Sequence, residues 1–401
     1  MAAPVSQGCY REGVASSHPY HDVAIAAVAN SRQARRLEGS DSLSITLDAA
    51  LSVLETAGMD ASEVDGVAGR HGTALAYQLG IGPVWDPRLS GGVDAVLMVA
   101  AAVATGAVSA VLLADGEAGA YTDRAAMAPW TRPGNEFVAP FGMFTAAEFA
   151  LIARRHMERY GTTVDQMAHV AATIRNNGSV NPEAIYYGRG PFTPADIRSS
   201  RPVAEPFNLL DCATTSEGAT ALLITTAERA ADLRCPPVYV LGGGIDHFGP
   251  SYQHPPSWDL IGNTDVPNGY VGRRAARQAF ATAGIGPDEV DGCEFYDPFS
   301  FELIRQFEAF GFCAEGEGGE YVTSGVIEPT GRHPVTTDGG TMSFSHPGGL
   351  TQMLQRVVRG VEQVQGRATG VQLADPEVVM CTCGGAGALF NDVVLLGKTR
   401  P

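Results

Sequence analysis

The sequence contains no uninterrupted run of 18 apolar residues. Its longest candidate, Val93 to Leu113, is broken by Asp94, Thr105, Gly106 and Ser109, so we expect no membrane-spanning helix. No basic segment followed by an apolar core occurs near the first residues, and no signal peptide is predicted. The expected location is therefore the cytoplasm.

Basic residues are scarce compared with acidic ones. The chain has 27 Lys and Arg against 44 Asp and Glu, a formal net charge of −17. Such a surface repels nucleic acids and anionic membranes, so neither is expected as a partner. An anionic ligand would have to be bound by a local basic patch or by helix N-termini.

Paired metal-binding cysteines are also missing. The seven cysteines are scattered over the 401 residues, which is typical of reduced intracellular thiols. Cys381 and Cys383 are separated by one residue rather than by the two of a zinc or redox pair. No metal site and no cofactor are therefore predicted.

The chain does contain an internal repeat. The segment Thr56-Ala-Gly-Met-Asp-Ala-Ser-Glu-Val-Asp-Gly66 returns as Thr282-Ala-Gly-Ile-Gly-Pro-Asp-Glu-Val-Asp-Gly292, identical at seven of eleven positions. Each copy follows a predicted helix, at 43–54 and 273–281, and each carries a glycine where a left-handed C-cap is expected. The repeat predicts two halves of similar fold.

Further downstream both halves continue alike. A Gly-Gly pair precedes a predicted helix in each half, at 93–106 and 350–364, and an apolar strand follows each helix, at 110–113 and 377–380. Predicted strands at 23–28 and 237–241 open the halves. Alternating strands and helices predict an α/β fold with largely parallel sheets covered by helices on both faces.

This duplicated pattern resembles the thiolase superfamily over nearly the whole chain. The resemblance implies a five-layered αβαβα fold with an N-terminal half at 1–234, a loop-domain insertion at about 121–208 and a C-terminal half at 235–401. Within the insertion we expect a helix at 157–175. Residues 211–219 look like the strand that returns to the first half.

Two glycine-rich segments resemble catalytic loops of that family. The first, 339–349, contains the His-Pro-Gly motif, which gives His346 the role of holding the thioester oxygen or a proton. The second, 379–387, resembles the turn that carries an acid–base cysteine. It makes Cys381 an acid–base candidate, and Gly384 and Gly385 candidate oxyanion donors.

The nucleophile of a thiolase is absent. The family's Cys-x-Ser-Gly turn corresponds here to Arg88-Leu-Ser-Gly-Gly92, and no cysteine occurs between Cys9 and Cys212. Covalent acyl transfer needs an activated nucleophile. Ser90 could supply one only with a base partner, so ordinary thiolysis is not expected.

The segments 294–302 and 310–322 resemble the sterol-carrier-protein-x branch, and within it the lipid-transfer-protein-type aldolases that remove steroid side chains. These enzymes also lack the cysteine and use tyrosines as acid–base groups. Tyr296 matches one such tyrosine, whereas Phe344 stands where a second is expected. The second proton transfer would then belong to His346 or Cys381.

The resemblance therefore implies an acyl-CoA aldolase. It would cleave the Cα–Cβ bond of a bulky, steroid-derived 3-hydroxyacyl-CoA, with the CoA thioester as substrate and Phe344 and Ser90 beside it. Two alternatives remain: an acyltransferase or synthase of the same fold, and a catalytically silent subunit that binds CoA. A homodimer is implied, as is a small partner with an OB-fold and a zinc ribbon.

Overall fold

The computed structural model describes residues 18–82, 84–87, 92–119, 145–247, 271–349, 351–384 and 390–401. Its strands are β1 (Val23–Asn30), β2 (Gly66–Ala68), β3 (Ala110–Glu117), β4 (Pro202–Ala204), β5 (Phe207–Asn208), β6 (Gly218–Thr226), β7 (Val238–Gly244), β8 (Gly292–Glu294), β9 (Val378–Gly384) and β10 (Asn391–Gly397). Its helices are α1 (Ser42–Ala57), α2 (Gly72–Leu79), α3 (Val93–Ala104), α4 (Thr145–Tyr160), α5 (Val164–Val180), α6 (Pro194–Ser199), α7 (Ala227–Ala231), α8 (Arg273–Ala283), α9 (Ser300–Phe310), α10 (Gly318–Thr323), α11 (Gly340–Ser343) and α12 (Thr351–Val364).

Eight strands form one sheet that is symmetric about its centre. The order is β2-β3-β6-β1-β7-β10-β9-β8, so that β1 and β7, β6 and β10, β3 and β9, and β2 and β8 occupy equivalent places. The halves join where β1 pairs with β7 through Ala24 with Tyr239 and Ile25 with Val238. The internal repeat is therefore a structural duplication.

The sheet is mainly antiparallel, and the prediction of largely parallel sheets is wrong. Only the edge pairs β2–β3 and β8–β9 run parallel among the described strands, whereas β1, β6, β7 and β10 pair antiparallel with their neighbours. The strands that close each half, β6 and β10, insert between earlier strands and reverse their direction. Local alternation of strands and helices cannot reveal such an insertion.

Three apolar clusters separate five layers. One packs β1, β3 and β6 against α1 and α2, a second encloses α3 and α12 between the two half-sheets, and a third packs β8, β9 and β10 against α8, α9 and the inserted helices. Helix, sheet, helix, sheet and helix thus follow one another. This is the predicted αβαβα arrangement.

The repeated segments fold alike. Helix α1 ends at Gly58 and α8 at Gly284, with φ of 73° and 70°, because the left-handed conformation there costs a glycine little. A single 3₁₀ turn and a short strand follow each glycine, β2 in the first half and β8 in the second. The predicted glycine C-caps are therefore confirmed.

The helix expected at 157–175 is two helices. Helix α4 ends at Tyr160 and α5 begins after Thr163, whose hydroxyl accepts a hydrogen bond from the Gln166 amide, and Gly161 lies between them with φ of 79°. The break follows from a glycine and an N-cap threonine in succession. The return strand also starts late, at Gly218 rather than near residue 211.

The proposed domain boundary at 234/235 falls in the connection between α7 and β7, and it stays a prediction. Residues 145–208 of the insertion form α4, α5, α6 and the β4–β5 hairpin. In the described ranges, none of the helices is long and apolar enough to cross a membrane.

Candidate functional site

Tyr296 lies in the segment that connects β8 to α9, and its backbone is held on both sides. Its N–H donates to the Thr382 hydroxyl on β9 at 3.0 Å, and its carbonyl accepts from the Gln306 side chain on α9 at 2.7 Å. The Thr382 hydroxyl in turn donates to Gln306 at 2.6 Å. The residue is 5% exposed, and this closed set of bonds fixes its position.

The Tyr296 ring lies against Gly384 at the end of β9. A Cβ atom on Gly384 would stand 3.4 Å from Cδ1 of Tyr296 and 2.8 Å from Nδ2 of Asn391. Two of the predicted site residues, Tyr296 and Gly384, therefore lie side by side. Gly385 lies outside the described residues.

Asp297 connects the Tyr296 segment to the His-Pro-Gly loop. Its carboxylate accepts hydrogen bonds from the amides of Thr341, at 2.8 Å, and Met342, at 3.1 Å, in α11. Burial raises the pKa of this carboxyl to about 7, against the opposing effect of the Arg356 charge. Asp297 therefore positions the loop.

His346 follows α11 and is held through its backbone. Its N–H donates to the Ser216 hydroxyl at 2.7 Å, and that hydroxyl also lies 2.8 Å from the Ser345 hydroxyl. The side chain is half-buried, and burial lowers the pKa of its imidazole to about 3. The ring is consequently neutral at physiological pH, so it can donate an N–H hydrogen bond but cannot act as an imidazolium acid.

Phe344 is 1% exposed, and its carbonyl accepts from the Ile185 amide at 3.1 Å. This contact joins the loop to the segment after α5. A phenyl ring carries no ionisable proton, so Phe344 supplies no acid–base group, and its place beside the substrate stays a prediction.

The segments that carry Tyr296 and His346 both contact one buried charge network. Arg356 of α12 donates to the two carboxylate oxygens of Asp338 at 2.7 and 2.6 Å and lies 3.6 Å from Glu294. Glu294 precedes the Tyr296 segment, and Asp338 precedes the His-Pro-Gly loop. Helix α12 thus contacts both segments through Arg356, and these contacts fix the distance between the segments.

Cys381 is not brought to Tyr296. Side chains of β9 alternate between the two faces of the sheet, so Thr382 and Gly384 face Tyr296 whereas Cys381 faces α12. A Cβ atom added to Gly360 of α12 would stand 2.3 Å from the Sγ of Cys381. Burial raises the pKa of this thiol well above its usual value. The geometry therefore argues against the predicted acid–base role.

A second set of polar side chains lies at the N-terminus of α3, where a thiolase carries its nucleophile; it consists of Cys383, Asp392 and His247. The Cys383 thiol accepts from the Val93 amide at 3.4 Å and donates to Asp392 at 3.5 Å. Asp392 also lies 3.0 Å from Nε2 of His247, and this hydrogen bond raises the pKa of the imidazole. Ser90, predicted for this turn, lies outside the described residues.

Sequence reasoning missed His247, Asp392 and Asn391 because they come from the ends of two strands and from no recognisable motif. One signal was present: Asn391 and Asp392 open an otherwise apolar strand. Adjacent polar residues on a buried strand must face opposite sides of the sheet. No group of His, Cys, Asp and Glu that could hold a metal ion occurs among the residues that the structure describes.

Comparison with known proteins gives a consistent set of similarities. Residues 264–398 match the family model described as "Thiolase C-terminal domain-like". A steroid side-chain-cleaving aldolase of Thermomonospora curvata is 32% identical over 364 residues, covering 83% of this chain and 90% of that protein. A 17-hydroxy-3-oxo-4-pregnene-20-carboxyl-CoA lyase of Mycobacterium tuberculosis is 30% identical over 379 residues, covering 86% and 92%.

Among solved structures, an Ltp2-ChsH2(DUF35) aldolase superposes with a TM-score of 0.84 at 27% identity. The match covers 96% of this chain and 100% of that one.

Proposed function

We propose, from the premise that this chain belongs to the thiolase superfamily and to its sterol-carrier-protein branch, that the protein is an acyl-CoA aldolase. Its substrate would be a 3-hydroxyacyl-CoA whose β carbon belongs to a bulky, steroid-like ring system. Cleavage of the Cα–Cβ bond would give a ketone and a shortened acyl-CoA. The observation that carries the proposal is the position of Tyr296, a buried phenol clamped against Gly384.

The proposed reaction is a proton cycle on Tyr296. Its phenolate takes the proton of the β-hydroxyl, the Cα–Cβ bond breaks, and the electron pair moves into the thioester as an enolate while the ketone forms. The phenol then returns the proton to the α carbon, which regenerates the phenolate. No external oxidant or reductant is needed, and one residue serves both steps. This account fits a site in which Phe344 has no proton to give and the Cys381 thiol faces α12.

The enolate oxygen needs hydrogen-bond donors that are already in place. We assign this role to the neutral imidazole of His346, whose low pKa keeps it a donor without a charge of its own. The backbone at Gly384 and Gly385 is the second proposed donor. A fixed N–H at such a position contributes about 10²- to 10³-fold to kcat in acyl-transfer enzymes.

A partner protein is part of the proposal. The related aldolase structure pairs Ltp2 with ChsH2(DUF35), and the scarcity of basic residues in this chain leaves the CoA phosphates to be met elsewhere. We propose a small partner of that kind beside a homodimer of this chain. It should lower the KM for acyl-CoA.

The test is a cleavage assay on a steroid-ring 3-hydroxyacyl-CoA, with and without a small partner protein of that kind, in which ketone and short acyl-CoA are followed by mass spectrometry. Tyr296→Phe should lower kcat by at least about 10²-fold, the usual contribution of a general acid–base group. Tyr239→Phe is the control, because this phenol packs against the α1 layer; its kcat should match wild type.

Three results would contradict the proposal in different ways. Undiminished cleavage by Tyr296→Phe would remove Tyr296 from the reaction. Acyl transfer without cleavage, lost in Ser90→Ala, would make the protein a synthase. CoA binding with neither reaction would make it a silent subunit.

A further inference from the structure

Asn391 has a buried side-chain amide that no described residue satisfies. It opens β10 opposite Gly384 of β9 and is 0% exposed. Its Nδ2 stands 2.8 Å from the Cβ position of Gly384, and its Oδ1 stands 2.8 Å from that of Gly272. Neither atom has a partner among the residues that the structure describes.

An unpaired amide in the interior lowers stability, because water is lost and nothing replaces it. The neighbouring buried amide, Gln306, behaves normally, since its nitrogen donates to Tyr296 and its oxygen accepts from Thr382. Most buried polar groups are satisfied in this way. Asn391 differs in that both polar atoms of its side chain lack a partner among the described residues, which indicates a group that is paired only when something else is bound.

The position of Asn391 beside Tyr296 indicates which ligand would pair with its amide. Nδ2 of Asn391 and Cδ1 of Tyr296 approach the same point, the Cβ position of Gly384, at 2.8 and 3.4 Å. Amide and phenol ring therefore lie side by side on one face of the sheet. The next residue, Asp392, faces the opposite side and bonds to His247.

We propose that Asn391 is a substrate-binding residue whose Nδ2–H donates to the oxygen on the β carbon of the substrate, the oxygen that gives its proton to Tyr296. This inference rests on the proposed function. The hydrogen bond strengthens as the oxygen becomes negative. Asn391 therefore binds the transition state more tightly than the alcohol, and its loss should lower kcat more than it raises KM.

Asn391→Leu keeps the approximate size of the side chain and removes both polar atoms. We expect kcat/KM to fall about 10²- to 10³-fold, as for the loss of one preorganised donor, while the Tm stays equal to wild type or rises. The matched control is Asn177→Leu. Asn177 is also buried, but its Nδ2 donates to the carbonyls of Val335 and Thr336, so this variant should lose Tm and keep its kcat.

Asn391→Asp adds a readout that a structural role would not change. A protonated carboxyl can donate as the amide does, whereas a carboxylate repels the developing negative charge. The kcat of this variant, relative to wild type, should therefore rise as the pH is lowered from 8 to 5.5. A ratio that does not change with pH would oppose the inference.

The outcomes separate the inference from the proposed function. If wild type cleaves the substrate and the kcat/KM of Asn391→Leu lies within threefold of the wild-type value, the role of Asn391 is overturned and the aldolase activity stands. A lower Tm with unchanged kcat would make Asn391 a structural residue. If wild type cleaves no substrate although it binds acyl-CoA by calorimetry, the aldolase and the role of Asn391 both fail.

Discussion

Replacing Arg356 with methionine should destabilise the protein strongly. The Arg356 side chain is fully buried and donates two hydrogen bonds to Asp338, and it also lies 3.6 Å from Glu294. Methionine fills much of the space but removes the cation that pairs with Asp338 and lies beside Glu294, although the Arg359 charge still lowers the pKa values of both carboxyl groups. Removing one partner of a buried ion pair costs about 3–5 kcal/mol, because the remaining charge is uncompensated.

This cost can be expressed as a change in Tm. Unfolding entropy is about 2.1 cal/mol/K per residue, or about 0.8 kcal/mol/K for a chain of 401 residues. A loss of about 3–5 kcal/mol should therefore lower the Tm by about 4–6 °C. The kcat should fall as well, because Asp338 and Glu294 hold the segments that carry His346 and Tyr296.

The loss should depend on pH. Burial already raises the pKa of Glu294 in the wild-type protein, whereas the Arg356 charge holds the pKa of Asp338 below its usual range. Removing the guanidinium should raise the folded-state pKa values of both carboxyl groups. Groups with raised pKa values destabilise the folded state increasingly as the pH rises through the folded values. The difference in Tm between Arg356→Met and wild type should thus be larger at pH 8 than at pH 5.

The assay is differential scanning calorimetry of both proteins between pH 5 and pH 8. Arg198→Met is the control, because the Arg198–Asp165 pair at 2.9 Å is largely exposed, and such pairs contribute little. A Tm of Arg356→Met within about 1 °C of wild type, against the 4–6 °C expected from the burial argument, would refute the reasoning. An equal deficit at every pH would refute its electrostatic part.

Three further predictions concern other parts of the site. Burial raises the pKa values of Asp297 and Glu362 to about 7, above their values in the unfolded chain. Their contribution to stability is therefore lost as the pH rises through 7, and the Tm of wild type should fall from pH 5 to pH 8. Glu362→Gln should flatten this profile, and a Tm that rises with pH would contradict the argument. Gly384→Ala places a Cβ 2.8 Å from the Asn391 amide and should lower kcat/KM about 10- to 100-fold by displacing the site. Gly286→Ala is the control, because it has open space around it and should keep the wild-type kcat/KM. Equal kcat/KM values for the two variants would contradict the crowding argument. The Cys381 thiol should not react with a thiol reagent in the native protein, since it is buried and its pKa is raised. Cys381→Ala should therefore leave the number of thiols that react in the native protein unchanged. A number lower by one would show that the thiol is accessible.

The sequence alone determined the duplication, and its resemblance to thiolases implied the five layers. A repeat at 56–66 and 282–292 requires two similar halves. The glycine at its third position ends α1 and α8, because only a residue without a side chain adopts φ near 70° at little cost. The glycine-rich segments around His346 and Gly384, and the segment 294–302 around Tyr296, were equally visible, because each is a continuous stretch of chain.

Only the tertiary structure decided which groups meet. Strand β10 inserts beside β7 and β9, so the sheet is mainly antiparallel, and no local pattern encodes that insertion. The alternation of side chains along β9 turns Cys381 away from Tyr296, since a shift of one residue exchanges the two faces of a strand. For the same reason Asn391 faces Tyr296 while Asp392 faces His247, a division that depends on the register between β9 and β10.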